Sequence, residues 1–261
     1  MYALRSSTFA ALALAGLAGG IVLAPPQTTH YKIETRSEQI VDLSAVGQGE
    51  QHNNIALVNF LTVTLSDTAG GRTVHAVLDS MLKADTNPLP AQSTLDSAKG
   101  RTWHGLMDAD GRLSGVKRMD STEGGGGDLL TNFFPRVKRG AKVGDNWTDT
   151  SETATNEAGQ SITTRTVTNY RVAGAENHNG THALRIETAF SLSQTGEINN
   201  AGGSLGVDGT GTGTATYFVS DDGRYLGGNS TVNSDLQITT AQLPEPIPIK
   251  ATNTATITIV N

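Results

Sequence analysis

Gly209-Thr210-Gly211-Thr212-Gly213-Thr214-Ala215-Thr216-Tyr217-Phe218-Val219 is the stretch whose reading decides the fold. At a period of two residues, Gly209, Gly211 and Gly213 fall on one face and Thr210, Thr212, Thr214 and Thr216 on the other. Glycine weakens a strand, so three on one face imply that something passes close over the backbone. A ligand, an aromatic ring, a packed helix or a strongly coiled sheet would each do so. Asp221-Asp222-Gly223 then has the composition of a hairpin turn. Beyond it Leu226, Gly228, Ser230, Val232, Ser234, Leu236 and Ile238 keep one face of a long return strand.

Working outward, the same grammar repeats. Downstream, Pro244, Pro246 and Pro248 form an extended spacer. Residues 249–260 alternate again, with Ile257 and Ile259 opposite Thr256, Thr258 and Val260. Such a terminal strand is safest paired inside the sheet, because an open edge invites aggregation. Upstream, Asn179-Gly180 is a two-residue turn, with Leu184, Ile186, Phe190 and Leu192 mainly on one face beyond it. Residues 147–152 and 161–172 are strands. Residues 102–107 and 112–118 flank the turn Asp108-Ala109-Asp110-Gly111 as another hairpin.

The first third is less uniform. Residues 30–37 and 39–46 read as two short opening strands. Residues 55–66 (IALVNFLTVTLS) read as a well-buried strand. Residues 72–85 fit both periods: Val74, Val77, Leu78, Met81 and Leu82 for a helix, Val74, Ala76, Leu78, Ser80 and Leu82 for a strand. The Gly70-Gly71 turn before them favours the strand, which Pro88 and Pro90 end. Residues 91–98 form a short helix closing at Gly100, a left-handed cap. Residues 121–128, with four successive glycines, are a flexible loop, and residues 129–134 a helical turn stopped by Pro135. The predicted fold is mainly β: a large curved antiparallel sheet, half-barrel-like, with one or two short helices, built as a single domain over residues 25–261.

Residues 1–24 read as a signal peptide or an N-terminal anchor. Arg5 precedes an Ala/Leu/Gly-rich run ending Ile21-Val22-Leu23-Ala24, then Pro25-Pro26. Proline after Ala24 disfavours cleavage there, and an earlier cut, for example after Ala18, is an alternative. The apolar run is about 15–17 residues, against the ~20 a spanning helix needs. The expected location is therefore exported, periplasmic or extracellular, or held to a membrane by an uncleaved segment. That removes the rest of the chain from nucleotide cofactors.

Composition narrows the chemistry. With no cysteine among 261 residues there are no disulfides, no lipid-bearing lipobox cysteine and no thiolate metal site or nucleophile. The net charge is −6, with one basic cluster, Arg136, Lys138, Arg139 and Lys142, which reads as a solvated loop face. An acidic chain with one small basic cluster is no nucleic-acid binder. Aromatics are only 5% of residues, so the core is built from Val, Ile, Leu and Ala.

Motifs for catalysis are weak. Gly202-Gly203-Ser204-Leu205-Gly206 matches the nucleophile-elbow pattern, but no histidine follows His182, so it reads as a loop. Gly209-x-Gly211-x-Gly213 opens no helix and is no dinucleotide loop. Asp108-x-Asp110-Gly111 lacks the remaining calcium ligands. His30, His52, His75, His104, His178 and His182 are scattered and read as surface residues, so no metal and no cofactor is expected. Asp110-Gly111-Arg112 and Asp222-Gly223-Arg224 echo one another as two Asp-Gly hairpins do.

The strongest local signature is Phe133-Phe134-Pro135 followed by Lys142-Val143-Gly144-Asp145-Asn146-Trp147-Thr148-Asp149-Thr150. A helical turn delivers two rings toward the sheet, Gly144-Asp145 turns the chain, and Trp147 packs inward; a buried Trp covers roughly 150–250 Å². This run, with the later G-T-G-T…Y-F-x-x-x-D-G-R-Y-L hairpin, resembles uncharacterised β-rich envelope proteins of bacteria over about residues 98–261. More distantly it is similar to the LolA-like lipoprotein carriers, whose curved half-barrel holds an acyl chain against small helices. The resemblance implies hydrophobe binding and supplies no catalytic residue. The missing lipobox cysteine departs from a membrane-tethered role.

The expected function is thus an exported non-enzymatic protein binding an apolar or amphiphilic, lipid-like ligand on the concave face. The candidate lining is Trp103, Phe133, Phe134, Trp147, Tyr217 and Phe218, with core packing the competing account for each. One alternative is a structural or adhesive cell-envelope protein with an envelope protein partner. Another is a hydrolase assembled from distant carboxylates, which leave no local trace.

Overall fold

Asn179 and Gly180 both take positive φ, 52° and 80°, the backbone a two-residue primed turn requires. They join strands of 19 and 20 residues. In the computed structural model, residues 24–85, 92–109, 111–119, 130, 133–157, 160–200 and 203–260 are described. Eleven strands follow in order: β1 (Gln27–Asp42), β2 (Glu50–Thr68), β3 (Gly71–Lys83), β4 (Thr102–Asp108), β5 (Leu113–Arg118) and β6 (Asn146–Glu157). Then come β7 (Gln160–His178), β8 (Thr181–Asn200), β9 (Gly203–Ser220), β10 (Tyr225–Thr240) and β11 (Ile247–Val260). One short helix, α1 (Gln92–Asp96), and a 3-10 turn (Ser44–Val46) complete the described elements.

All eleven strands form one antiparallel sheet in the order β5-β4-β3-β2-β1-β11-β10-β9-β8-β7-β6, curled into a half-barrel. Two meanders, β1–β5 and β6–β11, are sewn together where the first strand pairs with the last, from His30 opposite Val260 to Val41 opposite Ile249. The terminal strand is therefore paired on both sides, and β5 and β6 are the open edges.

Several sequence expectations change. The two predicted opening strands are one, because β2 and β11 both pair straight through Ser37 to Gln39 and leave no place for a break. Residues 44–46, given to a strand, form the 3-10 turn, which Gly47 closes at φ 76°. Gly203-Ser204-Leu205-Gly206, expected in a loop, opens β9, where Leu205 pairs with Ile198 and Thr240. Pro248, expected in the spacer, is the second residue of β11. It faces Gln237 of β10 and lies beyond the stretch β1 pairs, so its missing N–H leaves the β1 ladder intact. Residues 72–83 resolve as a strand, β3. The leader before Ala24, Pro88, Pro90, Asp110, the 121–128 loop and much of the 129–134 turn lie outside the described residues.

The alternating glycines of β9 sit under side chains of their own neighbours. A Cβ on Gly213 would meet the Phe190 ring, one on Gly209 would meet Leu236, and one on Gly211 would lie 3.1 Å from Leu192 Cγ. A strongly coiled sheet and one covering ring account for this glycine face.

Among the described residues the concave side is filled at one end. The connection between β5 and β6 drops Leu130, Phe133, Val137 and Ala141 onto the sheet, all buried. One core gathers Tyr31, Leu61, Val63, Val74, Leu78, Trp103 and Phe133; a second gathers Val137, Tyr170, Val172, Leu184, Ile186 and Val219. Each fully buried aliphatic side chain contributes about 1.5–3 kcal/mol, so this end carries the stability. Toward the other end the inward face of β7–β10 mixes apolar side chains (Phe190, Leu192, Val232, Leu236) with small or polar ones (Thr164, Thr166, Gln194, Gly211, Ser234).

Candidate functional site

Where the filled end meets the open end, the packing leaves a space. Ser230 of β10 stands opposite Ala255 of β11, and Gly228 stands opposite Ile257. These small residues cannot reach the rings above them. The result is a half-open cavity of about 220 Å³ walled by Ile33, Phe133, Tyr217, Tyr225 and Ile257. Thr35, Asn59, Asn229 and Ser230 are its other polar residues, and no charged side chain lines it.

Tyr225 is at the centre of the arrangement. A β-bulge between Tyr225 and Gly227 shifts the β9–β10 register, so Tyr225 and Leu226 are both buried. Gly227 makes the bulge practicable: its φ is +104°, and a Cβ there would meet the carbonyl oxygen of Ile257. The Tyr225 ring stacks on Tyr31 at 5.9 Å and meets Phe133 edge-on at 5.6 Å, Phe134 at 6.0 Å and Tyr217 at 6.1 Å. Tyr31 donates its hydroxyl hydrogen to the Tyr225 carbonyl at 2.9 Å.

The electrostatics follow from burial. Desolvation pushes the Tyr217 phenol up to about 12, with Tyr170 adding to it, and holds Tyr31 and Tyr225 well above the usual tyrosine value. All three stay protonated and act as neutral groups. Two residues of the wall carry a polar atom that is buried behind it without a hydrogen-bond partner: the Tyr225 hydroxyl and Asn59 Oδ1, on residues each only 4% exposed. A buried orphan of this kind costs about 1–3 kcal/mol.

The expected lining divides. Phe133 and Tyr217 wall the cavity. Phe134 packs behind Phe133 at 4.8 Å and faces a narrower pocket of about 40 Å³ at the filled end. Trp103 is buried in the first core on β4 and does not line the cavity. Trp147 stacks flat on Tyr170 at 5.0 Å beside a wide, open recess. Next to it Arg136 pairs with Asp149. Phe218 projects from the other face of β9 and stacks on His178 at 3.8 Å. Alternation along a strand requires that split: consecutive Tyr217 and Phe218 cannot both face one side.

Tyr31, Asn59 and Tyr225 were not among the expected residues. Asn59 carried a signal, as the one amide inside the apolar run 55–66. Tyr225 closes the hairpin signature, though nothing local marks it as central.

For hydrolysis the described residues offer little support. Asp42 and Asp222 have lowered pKa values; the first ends β1 and the second lies in the β9–β10 turn. At Asp42 the hydroxyl and N–H of Ser44 lower it; at Asp222 burial raises it but bonds from Ser220 and Arg224 outweigh that. Neither lines the cavity, and no group of three metal-ligating side chains occurs among the described residues.

No protein-family model matches the chain, and no curated protein matches it. Among solved structures, the outer-membrane expressed OmpT of Vibrio cholerae aligns over 90% of this chain and 99% of its own, at 7% identity and a TM-score of 0.19. At that score nothing of fold or function carries over.

Proposed function

We propose that this chain is an exported, non-enzymatic β protein that holds an apolar or amphiphilic ligand on the inner face of its half-barrel. The observation that carries the proposal is the 220 Å³ cavity, where aromatic and aliphatic walls stay partly open because Gly228, Ser230 and Ala255 are small. Its half-open mouth and mainly apolar walls are what the body of a small apolar ligand needs in order to enter and leave water. Export is proposed on Arg5 and the apolar run behind it.

Protein purified without detergent is extracted with organic solvent and the extract examined by mass spectrometry. Near-stoichiometric amphiphile supports the role. Empty protein, and no uptake when apolar compounds are added, overturns it. Intact mass from the native host tests export, since removal of the leader shortens the chain.

A structural role in the envelope is the second reading, favoured by the open edge at β6, twelve residues paired on one side only. Photo-crosslinking from Thr150 would capture an envelope partner if that edge is used.

A further inference from the structure

We infer that His75 and His104 form a two-histidine site for a borderline divalent cation, copper, nickel or zinc, on the outer face of the sheet. The inference stands apart from the ligand-binding role proposed above. Alternation along β3 and β4 puts these two rings on the opposite face from their buried neighbours Ala76 and Trp103.

The ladder supplies the geometry. β3 and β4 pair in an unbroken register from Gly71 opposite Asp108 to Val77 opposite Thr102, and His75 stands directly opposite His104 within it. Directly opposed residues hold their Cβ atoms about 4.5–5.5 Å apart. Here the two ring centroids lie 4.5 Å apart, with the rings tilted by 56°. Two imidazole nitrogens bound side by side on one ion lie about 3 Å apart, given metal–nitrogen bonds of about 2.0–2.1 Å. Rings at this separation reach that spacing by rotating about their own side-chain bonds, with the sheet unmoved. Both are open to an ion from solution, since His104 is exposed and His75 only half-buried.

The chemistry of the pair selects the ion. Burial, and then the neighbouring His104, hold His75 below the ordinary histidine value, which keeps a lone pair free for a metal at neutral pH. In the register the pair is flanked by Thr64 of β2, opposite His75, and Lys117 of β5, opposite His104. No carboxylate opposes either ring, and imidazoles alone suit copper, nickel and zinc rather than magnesium or calcium. Lys117 is exposed, so its repulsion of a cation is screened by water and salt. Water fills the remaining coordination positions. An ion held here ties β4 to β3 at the edge where the strands are shortest, seven residues in β4 and six in β5. The two ligands meet only in the folded sheet, so binding stabilises that sheet by mass action.

The probes are the chlorides of copper, nickel, zinc and magnesium. Each is titrated calorimetrically at pH 7.5, in a non-coordinating buffer, into untagged full-length protein stripped with a chelator. The same titrations are run on His75→Gln, His104→Gln and, as a control, His182→Gln. His182 has its Nδ1 2.8 Å from Asp221 Oδ2 in the β9–β10 region and so offers one imidazole beside a carboxylate. Copper, nickel and zinc should each bind at one ion per chain, and magnesium should not. His75→Gln and His104→Gln should each weaken binding at least ~10-fold, since groups that merely support a metal ligand are already worth about 10–100-fold. His182→Gln should leave it unchanged. Metal should raise the melting temperature of the unsubstituted protein and of His182→Gln, and far less that of the other two. The melting temperature without metal checks that every variant is folded. Electron paramagnetic resonance of the copper complex should show two nitrogen ligands, a signature lost in His75→Gln and His104→Gln.

The outcomes separate. Binding that survives both His75→Gln and His104→Gln overturns the inference, and so does a loss confined to His182→Gln. If none of the three transition-metal ions binds the unsubstituted protein, or magnesium binds as tightly as they do, the inference fails as well. None of these results bears on the apolar-ligand role, which solvent extraction tests separately.

Discussion

Replacing Phe133 with alanine tests whether the connection between β5 and β6 is part of the core or merely rests on it. The Phe133 side chain is only 3% exposed. Its ring lies edge-on to Tyr31 at 4.9 Å, to Phe134 at 4.8 Å and to Tyr225 at 5.6 Å. Truncating a buried phenylalanine costs about 3–5 kcal/mol, combining lost transfer energy with the cavity left behind. Each lost edge-to-face pair adds about 0.5–1.5 kcal/mol where the ring geometry is favourable. Against this, the vacated space opens onto the existing 220 Å³ cavity, where water or a neighbouring ring can relax into it. The expected loss is therefore near the lower end of that range, about 3 kcal/mol. Urea titration followed by circular dichroism measures it, with the midpoint moved and the slope unchanged. Amide exchange should also quicken in residues 133–145, whose buried anchors Val137 and Ala141 depend on the same docking. A loss under about 1 kcal/mol, the scale of a surface substitution, would refute the view that this segment plugs the half-barrel.

Alkaline unfolding should be cooperative with tyrosine ionisation. Tyr31, Tyr217 and Tyr225 have raised folded values, so their contribution is complete below about pH 10 and is lost as pH rises through those values, about 12 for Tyr217. Tyrosinate absorbance growing smoothly near pH 10 with the sheet intact would contradict it. On the acid side, burial lowers His178, stacked on Phe218, and His75, which also lies beside His104. Both are held neutral by the fold, so their contribution is present above about pH 6.5 and fades as pH falls through their lower folded values. Glutamine at both positions should flatten the melting temperature between about pH 7 and pH 5; an unchanged slope would assign it to other groups. Gly227→Ala should destabilise by more than ~1 kcal/mol, since φ +104° and the Ile257 carbonyl both exclude a Cβ. A neutral result in thermal unfolding would mean the bulge can move.

Much of the sheet was legible because its determinants are local. Asn179-Gly180 and Asp222-Gly223 specify turns by what φ they tolerate, and the threonine alternation of β9 specifies a pleated surface. The errors occur where neighbours override the local pattern. Residues 30–46 look like two strands in isolation, yet β2 and β11 hold residues 27–42 straight. Gly203 to Gly206 look like loop, yet two flanking strands pair with them. The site was only half legible for a similar reason. Phe133 and Tyr217 lie within recognisable motifs, but Tyr31 and Tyr225, 194 positions apart, meet only through the pairing of β1 with β11. No local window contains that fact.

That pairing explains why the cavity lies where it does. Ile33 belongs to β1, Asn59 to β2, Tyr217 to β9, Tyr225 to β10 and Ile257 to β11, with Phe133 contributed by the plug. The site thus spans the seam between the two meanders. Either meander can form its hairpins from near neighbours, but the seam joins the two ends of the chain and forms against a larger loop-closure entropy. The seam is also where the orphaned Tyr225 hydroxyl and Asn59 Oδ1 lie, so the pairing of largest sequence separation carries an unmet polar cost. A ligand that fills the space binds only after both halves have met, and therefore stabilises the joined state by mass action. At a concentration a hundred times its Kd the gain is about 2.7 kcal/mol, comparable to the expected loss from truncating Phe133. On the proposed ligand-binding reading, the void that weakens the empty protein would couple occupancy to the integrity of the half-barrel.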